Sequence, residues 1–243
     1  MNKISAISPP VNDTPYKRIL AIGDVHGNFT RLMSLWQKLN VTDDDLAIFL
    51  GDYIDRGAEV ADVLKWIIAQ STKKNFIFLR GNHEQMMLDM SHGRLDKLSW
   101  FFNGGQTTLR GLSELKAVDE NFIDKILNFA EDLPLYHALT VGGRQYIFVH
   151  AGIDSRLSLA EQKAEFLLWA RDEFFNTYDG EAVVIGGHSP VQAFAKFGVS
   201  DNPRPIKLPG KNVVMIDTGS FIRGGKISAL DILSGQYWQS DDD

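Results

Sequence analysis

Short apolar runs that empty without a spacer into polar, glycine-containing stretches set the rhythm of this chain. Arg18-Ile19-Leu20-Ala21-Ile22 runs into Gly23-Asp24-Val25-His26-Gly27-Asn28. The run 46–50 enters Gly51-Asp52-Tyr53-Ile54-Asp55-Arg56-Gly57, and 76–79 enters Arg80-Gly81-Asn82-His83-Glu84. Brief continuous apolar runs of this kind read as strands buried on both faces. Between them, Phe29, Leu32, Met33, Leu35, Trp36 and Leu39, then Val60, Val63, Leu64, Ile67 and Ile68, recur at helical spacing, the stripe of a helix laid on a sheet. The alternation predicts a βαβαβ core with a largely parallel sheet, an α/β fold.

Residues 85–135 read as mostly helical, with a break at Asn103-Gly104-Gly105-Gln106. The strand pattern then returns. Run 146–149 delivers His150-Ala151-Gly152, run 182–185 delivers Gly186-Gly187-His188-Ser189-Pro190, and run 213–216 delivers Asp217-Thr218-Gly219-Ser220, with closing strands or a hairpin over 226–238. Five strand ends therefore carry Asp24/His26, Asp52/Asp55, Asn82/His83, His150 and His188, and loops beyond the carboxyl ends of strands are where α/β sheets gather ligands. Met86, Met87, Trp36, Trp66 and Trp169 fit core stripes. His92 and His137 fall outside the pattern and read as ordinary polar or partly buried residues.

Composition narrows the chemistry. At 243 residues and 44% hydrophobic the chain can bury a sizeable core, and with no linker-like stretch it reads as one domain over 18–240 behind a loose N-terminal arm, 1–17, containing Pro9, Pro10 and Pro15. A net charge of −6 and a pI near 5.5 argue against general nucleic-acid or membrane-surface binding, which needs a basic face. There is no signal-peptide core or membrane-length apolar run, so a cytoplasmic protein is expected, with Asp241-Asp242-Asp243 as a solvated tail. The chain has no cysteine, which excludes disulfides, thiolate metal sites and a cysteine nucleophile.

Asp, His and Asn without thiolate suit ions that accept both oxygen and imidazole, such as Mn²⁺, Fe, Zn²⁺ or Co²⁺. Six or so donors exceed one tetrahedral ion, whereas two ions about 3.5–4 Å apart, sharing a carboxylate, would use them all for hydrolytic phosphoryl transfer. Arg56 suits phosphate because its planar fork can hold two oxygens at once.

The three stretches at residues 23–27, 51–57 and 81–84 resemble the GDxHG, GDxxDRG and GNHE signatures of the phosphoprotein phosphatase family of metallophosphoesterases. With His150-Ala151-Gly152 and Gly187-His188, the similarity runs from about residue 19 to residue 230. Size and the Gly187-His188-Ser189-Pro190 form resemble the bacterial and phage serine/threonine phosphatases. The resemblance implies a β-sandwich flanked by helices, with Asp24 and His26 on one divalent metal, Asp52 bridging, and Asn82, His150 and His188 on the second. It implies that His83, held by Asp55, is the general acid, that Arg56 binds phosphate, and that water activated between the two metals attacks phosphorus directly. Arg171, in Leu168-Trp169-Ala170-Arg171-Asp172, matches a phosphate-binding Trp-x-Arg of the family over a shorter stretch. Asn103-Gly104-Gly105-Gln106 resembles a loop beside the substrate groove, and is equally a plain turn. Asp217-Thr218-Gly219-Ser220 also recurs in the family, though a buried turn explains it as well.

The expected substrate is a phosphorylated protein or a small phosphoester. The Asp55-Arg56 pair favours a protein phosphatase over a symmetrical dinucleoside polyphosphate hydrolase, which often lacks that aspartate. Arg204, Lys207 and Lys211, in the stretch 197–211, are read either as a basic rim for a polyphosphate or as a solvated loop. A non-catalytic scaffold that binds phosphorylated partners is the reading from a different class. Metal identity, oligomeric state and regulation are not legible in the chain.

Overall fold

The computed structural model describes residues 2–4, 13–197 and 203–241. In chain order the elements begin with β1 (Asn2–Lys3), β2 (Arg18–Ile22), α1 (Phe29–Leu39), β3 (Asp45–Phe49), α2 (Val60–Gln70) and β4 (Phe76–Phe78). Four helices follow: α3 (Asn82–Ser91), α4 (Lys97–Phe102), α5 (Gly105–Val118) and α6 (Phe122–Asp132). The second half holds β5 (Tyr136–Val141), β6 (Arg144–Val149), α7 (Ala164–Trp169), α8 (Asp172–Thr177), β7 (Val183–Gly186), β8 (Ile206–Lys207), β9 (Val213–Met215), β10 (Ser228–Asp231) and β11 (Gln236–Gln239).

Two sheets stack. One runs β1-β11-β10-β2-β3-β4 and the other β5-β6-β7-β9-β8. The βαβαβ core is present: β2, β3 and β4 pair in parallel through α1 and α2, as do β6, β7 and β9 in the second sheet. The remaining pairs are antiparallel, so both sheets are mixed rather than largely parallel. The second sheet has a parallel centre and antiparallel edges, whereas in the first the parallel strands β2, β3 and β4 hold one side and the antiparallel strands β10, β11 and β1 the other, because hairpins finish what crossover helices begin. The β5–β6 hairpin was not evident from the apolar pattern, since β5 buries only Val141 fully. Its signal is the Gly142-Gly143 turn, with both residues at positive φ, 55° and 74°, the backbone a tight hairpin requires.

Side-chain alternation sorts the apolar residues into three layers. Ile19, Ala21, Leu46 and Ile48 meet Tyr146, Phe148, Ile185 and Val214 between the sheets. The other faces of the same strands send Leu20, Ile22, Ala47 and Phe49 against the first helical group. Ile147, Val149, Val184 and Val213 pack against α7 and α8. Helix α1 shows the local logic: Leu32, Leu35 and Leu39 form its buried face, and Asn40 at φ 44° ends it by donating its N–H to the Trp36 carbonyl. Removing the ring of Phe49, buried and stacked 4.8 Å from Phe78, would cost about 3–5 kcal/mol.

At the N-terminus the structure departs from a loose arm, while Asp241 at the other end is exposed, as a solvated tail requires. Asn2–Lys3 pairs with β11 and Ile4 is buried in the sandwich; Pro9 and Pro10 lie outside the described residues. Asp241 accepts a hydrogen bond from Lys38 at 2.6 Å, while Asp242 and Asp243 also lie outside them. Of the stretch 197–211, residues 198–202 are outside the described set, and Lys211 donates to the carbonyls of Asn176 and Tyr178 at the end of α8. That turns Lys211 from a polyphosphate rim into a helix cap. Among the described residues no helix is long and apolar enough to cross a membrane.

Candidate active site and metal centre

Because β2, β3 and β4 run parallel, as do β6, β7 and β9, their carboxyl ends deliver six polar loops to one edge of the sandwich. The loops hold one another there. Asp52 O accepts the N–H groups of Val25 and His26 at 3.0 and 2.9 Å, and Gly27 N–H reaches Tyr53 O at 2.8 Å. Gly51, at φ 104°, lets the β3 exit touch the β4 exit: a Cβ there would stand 2.5 Å from Gly81 N. Among the described residues, six non-glycine residues have positive φ: Asn40, which ends α1, and His26, Asp52, Asp55, Arg56 and His188. The last five lie in the predicted motifs, the concentration of backbone strain expected where side-chain aim outranks local comfort.

Asp24, His26, Asp52, Asp55, Asn82, His83, His150 and His188 are all brought together and buried. Ligand-capable atoms form two groups that share Asp52: with His26 and His83, and with His150 and His188. Asp52 Oδ2 is 3.5 Å from His26 Nε2 and 3.8 Å from His83 Nε2, whereas Oδ1 is 3.4 Å from His150 Nε2. One oxygen thus faces each group. His150 Nδ1 meets Leu50 O at 2.9 Å and His26 Nδ1 meets Ile54 O at 3.1 Å. A carbonyl only accepts, so Nδ1 carries the hydrogen and each Nε2 presents its lone pair to the centre. Asn82 Oδ1 lies 2.8 Å from both His150 Nε2 and His188 Nδ1. Lone pairs and oxygens facing one another across such gaps are what a cation would join. The residues fit two divalent ions.

Charge supports the same conclusion. Burial, with His83 beside it, pushes His26 down to about 3; burial likewise lowers His150 and His188, keeping all three neutral and ligand-ready. Burial and the neighbouring carboxylates of Asp217 and Asp52 raise Asp24 well above its ordinary range, and burial raises Asp217 to about 7. Burial works against ionised Asp52 too; what opposes burial and holds Asp52 low is positive charge on the imidazoles around it, of which only that of His83 is raised rather than lowered. Three buried carboxylates in mutual repulsion, with no lysine among them, call for cations. His188 Nε2 and Asp217 Oδ2 are buried without a hydrogen-bond partner among the described residues. Asp24 stands slightly apart, accepting the His188 N–H at 3.1 and 3.2 Å.

His83 Nδ1 is 2.7 Å from Asp55 Oδ2. Burial depresses its imidazole, but Asp52 and Asp55 overcome burial and raise it. Its Nε2 lies 3.3 Å from Arg56 Nη2. Arg56 is exposed and its guanidinium sits 3.8 Å over the Phe221 ring, which also meets His26 edge-on at 4.9 Å. Arg171, across the site, donates to Ser189 Oγ at 2.7 Å and acts electrostatically on His150 and His188. The two arginines therefore flank opposite metal groups. Trp169 is no core residue: it is 40% exposed and edge-on to His188 at 6.1 Å, because α7 ends at the rim. His92 pairs with Glu131 on the surface and His137 lies on β5, both away from the site.

Several contributors act beyond the roles the motifs imply, Glu84 among them although it closes the 81–84 motif. Glu84 accepts backbone N–H groups from Asp52, Tyr53 and Gly81 at 2.9, 2.8 and 3.0 Å, with Ile54 at 3.4 Å. It fastens the β3 exit to the start of α3. Trp100 and Thr108 reach Asp55, and Phe221 reaches Arg56; only their spacing relative to the glycine pair 104–105 or the 217–220 turn could have marked them.

The sequence profile of the calcineurin-like phosphoesterases matches residues 17–219. Serine/threonine-protein phosphatase 2 of Escherichia coli is 31% identical over 215 residues, 86% of this chain and 91% of that protein. The asymmetrical bis(5'-nucleosyl)-tetraphosphatase PrpE of Halalkalibacterium halodurans is 29% identical over 236 residues, 86% of this chain and 87% of that one. Among solved structures, a protein provisionally named a diadenosine tetraphosphatase superposes with a TM-score of 0.67 at 15% identity, covering 97% of this chain and 99% of that one. A profile match spanning every motif from Asp24 to Asp217, over a buried His/Asp cluster built for cations, makes the chain a hydrolytic enzyme that belongs to the calcineurin-like phosphoesterase family.

Proposed function

We propose that the protein is a dinuclear phosphomonoesterase acting on phosphoserine and phosphothreonine in proteins, with Mn²⁺ as its working metal. Asp24 and His26 would hold one ion, Asn82, His150 and His188 the other, and Asp52 both. Divalent ions there would supply charge neutralisation at the phosphoryl oxygens and lower the pKa of an attacking water. Arg56 and Arg171 grip the non-bridging oxygens from opposite sides and orient phosphorus for in-line displacement. As the bond from phosphorus to the leaving oxygen breaks, His83 Nε2 gives that oxygen a proton, and Asp55 stabilises and aims the imidazolium.

The observation that carries this choice is the 2.7 Å contact between His83 and a fully buried Asp55. An alkoxide departs only with protonation, so a carboxylate-held acid is worth building for a serine or threonine ester. A nucleotide leaving from a phosphoanhydride needs little such help. The two flanking arginines match one dianion, and of Arg204, Lys207 and Lys211, the residues of a possible polyphosphate rim, Lys211 is committed to α8. The dinucleotide reading stays in view because relatives bear that name, as asymmetrical rather than symmetrical hydrolases.

The test compares phosphate release from a phosphothreonine peptide with cleavage of diadenosine tetraphosphate by metal-stripped protein titrated with Mn²⁺. Faster peptide turnover, abolished by Asp52→Asn, supports the phosphatase. Rapid nucleotide production with sluggish peptide turnover selects the dinucleotide hydrolase, and stoichiometric peptide binding with neither reaction selects the scaffold.

A further inference from the structure

The segment from Trp100 to Thr108 joins α4 to α5 and wraps the strained pair Asp55-Arg56. Asp55 has φ 68° and no solvent exposure. Its Oδ2 takes His83 Nδ1–H and also Trp100 Nε1–H, the latter at 2.8 Å. Its Oδ1 takes the Thr108 hydroxyl, whose oxygen in turn accepts Asp55 N–H at 2.9 Å. Trp100 and Thr108 are themselves 0% exposed. The turn between them is shaped for this approach. Gly104 accepts Arg56 N–H at 3.2 Å, and at φ 100° a Cβ there would stand 2.7 Å from Arg56 N. A Cβ on Gly105 would strike the Trp100 ring at 2.4 Å. Neither glycine could carry a side chain without pushing the loop off the dyad.

From this convergence we infer that Trp100 and Thr108 are positioning residues of the reaction, pinning both oxygens of Asp55 so that His83 is held at one angle to the leaving group. The inference rests on His83 being the proton donor. Any buried carboxylate needs donors, so satisfaction of Asp55 alone would not distinguish catalysis from folding. Two features do. The donors sit on both oxygens, which blocks rotation of the carboxylate about its bond, and Trp100 shares Oδ2 with His83, which fixes where along that oxygen the imidazole can bind. A freely turning Asp55 would still pair with His83, but over a spread of ring orientations.

The experiment measures kcat and KM of the Mn²⁺-loaded enzyme on a phosphothreonine peptide and on 4-nitrophenyl phosphate. Variants are Thr108→Val, Thr108→Ser and Trp100→Phe, each alone and combined with His83→Ala. Thr108→Val keeps shape and loses the hydroxyl. It should lower kcat on the peptide about tenfold or more, the usual effect of removing a group that orients a reacting one, with KM and bound metal unchanged. Loss on 4-nitrophenyl phosphate should be smaller, since a phenolate departs without much protonation. Thr108→Ser, which retains the hydroxyl, should recover most of the turnover, and Trp100→Phe should follow Thr108→Val. In the His83→Ala background neither change should cost anything further, the non-additivity of residues acting through one group. Equal losses with and without His83, equal losses on both substrates, or no loss would overturn the inference while leaving the acid role intact. If His83→Ala alone leaves peptide turnover unchanged, the acid role falls first and the inference with it. Should Trp100→Phe lower the melting temperature, the Thr108 arm decides by itself.

Discussion

Replacing Glu84 by glutamine should loosen the site more than its single lost charge implies. Oε2 takes Asp52 N–H and Gly81 N–H, and Oε1 takes Tyr53 N–H with the longer Ile54 contact. Glutamine has one acceptor oxygen, so whichever way the amide turns, an NH₂ group faces two backbone donors in a site 2% exposed. Each donor left without an acceptor costs about 1–3 kcal/mol, and the pair therefore about 2–6 kcal/mol. At roughly 2–4 °C per kcal/mol for a chain of this size, the metal-free variant should melt at least about 4 °C below the parent. The strand exits carrying Asp52 and Asn82 would part, so Mn²⁺ affinity should fall as well. Thermal and urea unfolding of the metal-free proteins, followed by equilibrium dialysis against Mn²⁺, measures both. Unfolding curves that superimpose, with unchanged metal affinity, would refute the claim that Glu84 clasps the two loops.

Phe221→Ala should raise KM for a phosphomonoester about two- to fivefold, the worth of a cation–π contact at a partly exposed site, with Phe221→Tyr close to the parent; steady-state kinetics at fixed Mn²⁺ decide it. Asp217→Asn should raise the melting temperature of the metal-free protein by relieving repulsion with Asp24 and Asp52, and the gain should shrink once Mn²⁺ is added; melts with and without metal check both halves. Burial opposes ionisation of Asp45, yet Arg18, bound through two nitrogens at 2.8 and 2.6 Å, and the Thr42 N–H hold it below the ordinary aspartate range. A carboxylate lowered in the fold stabilises above its unfolded pKa and loses that stability as pH falls through the folded value. Melts of the parent should therefore decline below about pH 4 more steeply than those of Asp45→Asn, and parallel profiles would contradict the pairing.

The strand-end pattern was legible because buried parallel strands leave continuous apolar runs, and because ligand residues must follow those runs directly to reach the shared edge. That alone assigns Asp24, His26, Asp52, Asn82, His150 and His188 to one cluster. What the pattern missed has physical reasons. β5 is half-exposed and lacks a continuous apolar run, so only its Gly142-Gly143 turn signals a hairpin. Trp169 follows the apolar stripe of α7, but the helix ends where the sandwich does, leaving the indole at the rim. Glu84, Trp100 and Thr108 act on backbone and carboxylate atoms far away in sequence, 32, 45 and 53 residues from their partners. Residue type alone announces no such contact. The antiparallel pairings in both sheets are likewise set by which strand lies beside which, a property of topology rather than of local composition.

The claim on which the rest depends is that Asp52 joins two cation sites, one oxygen to each. Counting Mn²⁺ bound per chain, by elemental analysis after equilibrium dialysis, tests it for the parent and for Asp52→Asn. The parent should bind two ions per chain, and with the shared carboxylate gone binding should weaken at both sites together. A parent that binds one ion, or a variant that still binds two with parental affinity, would contradict it.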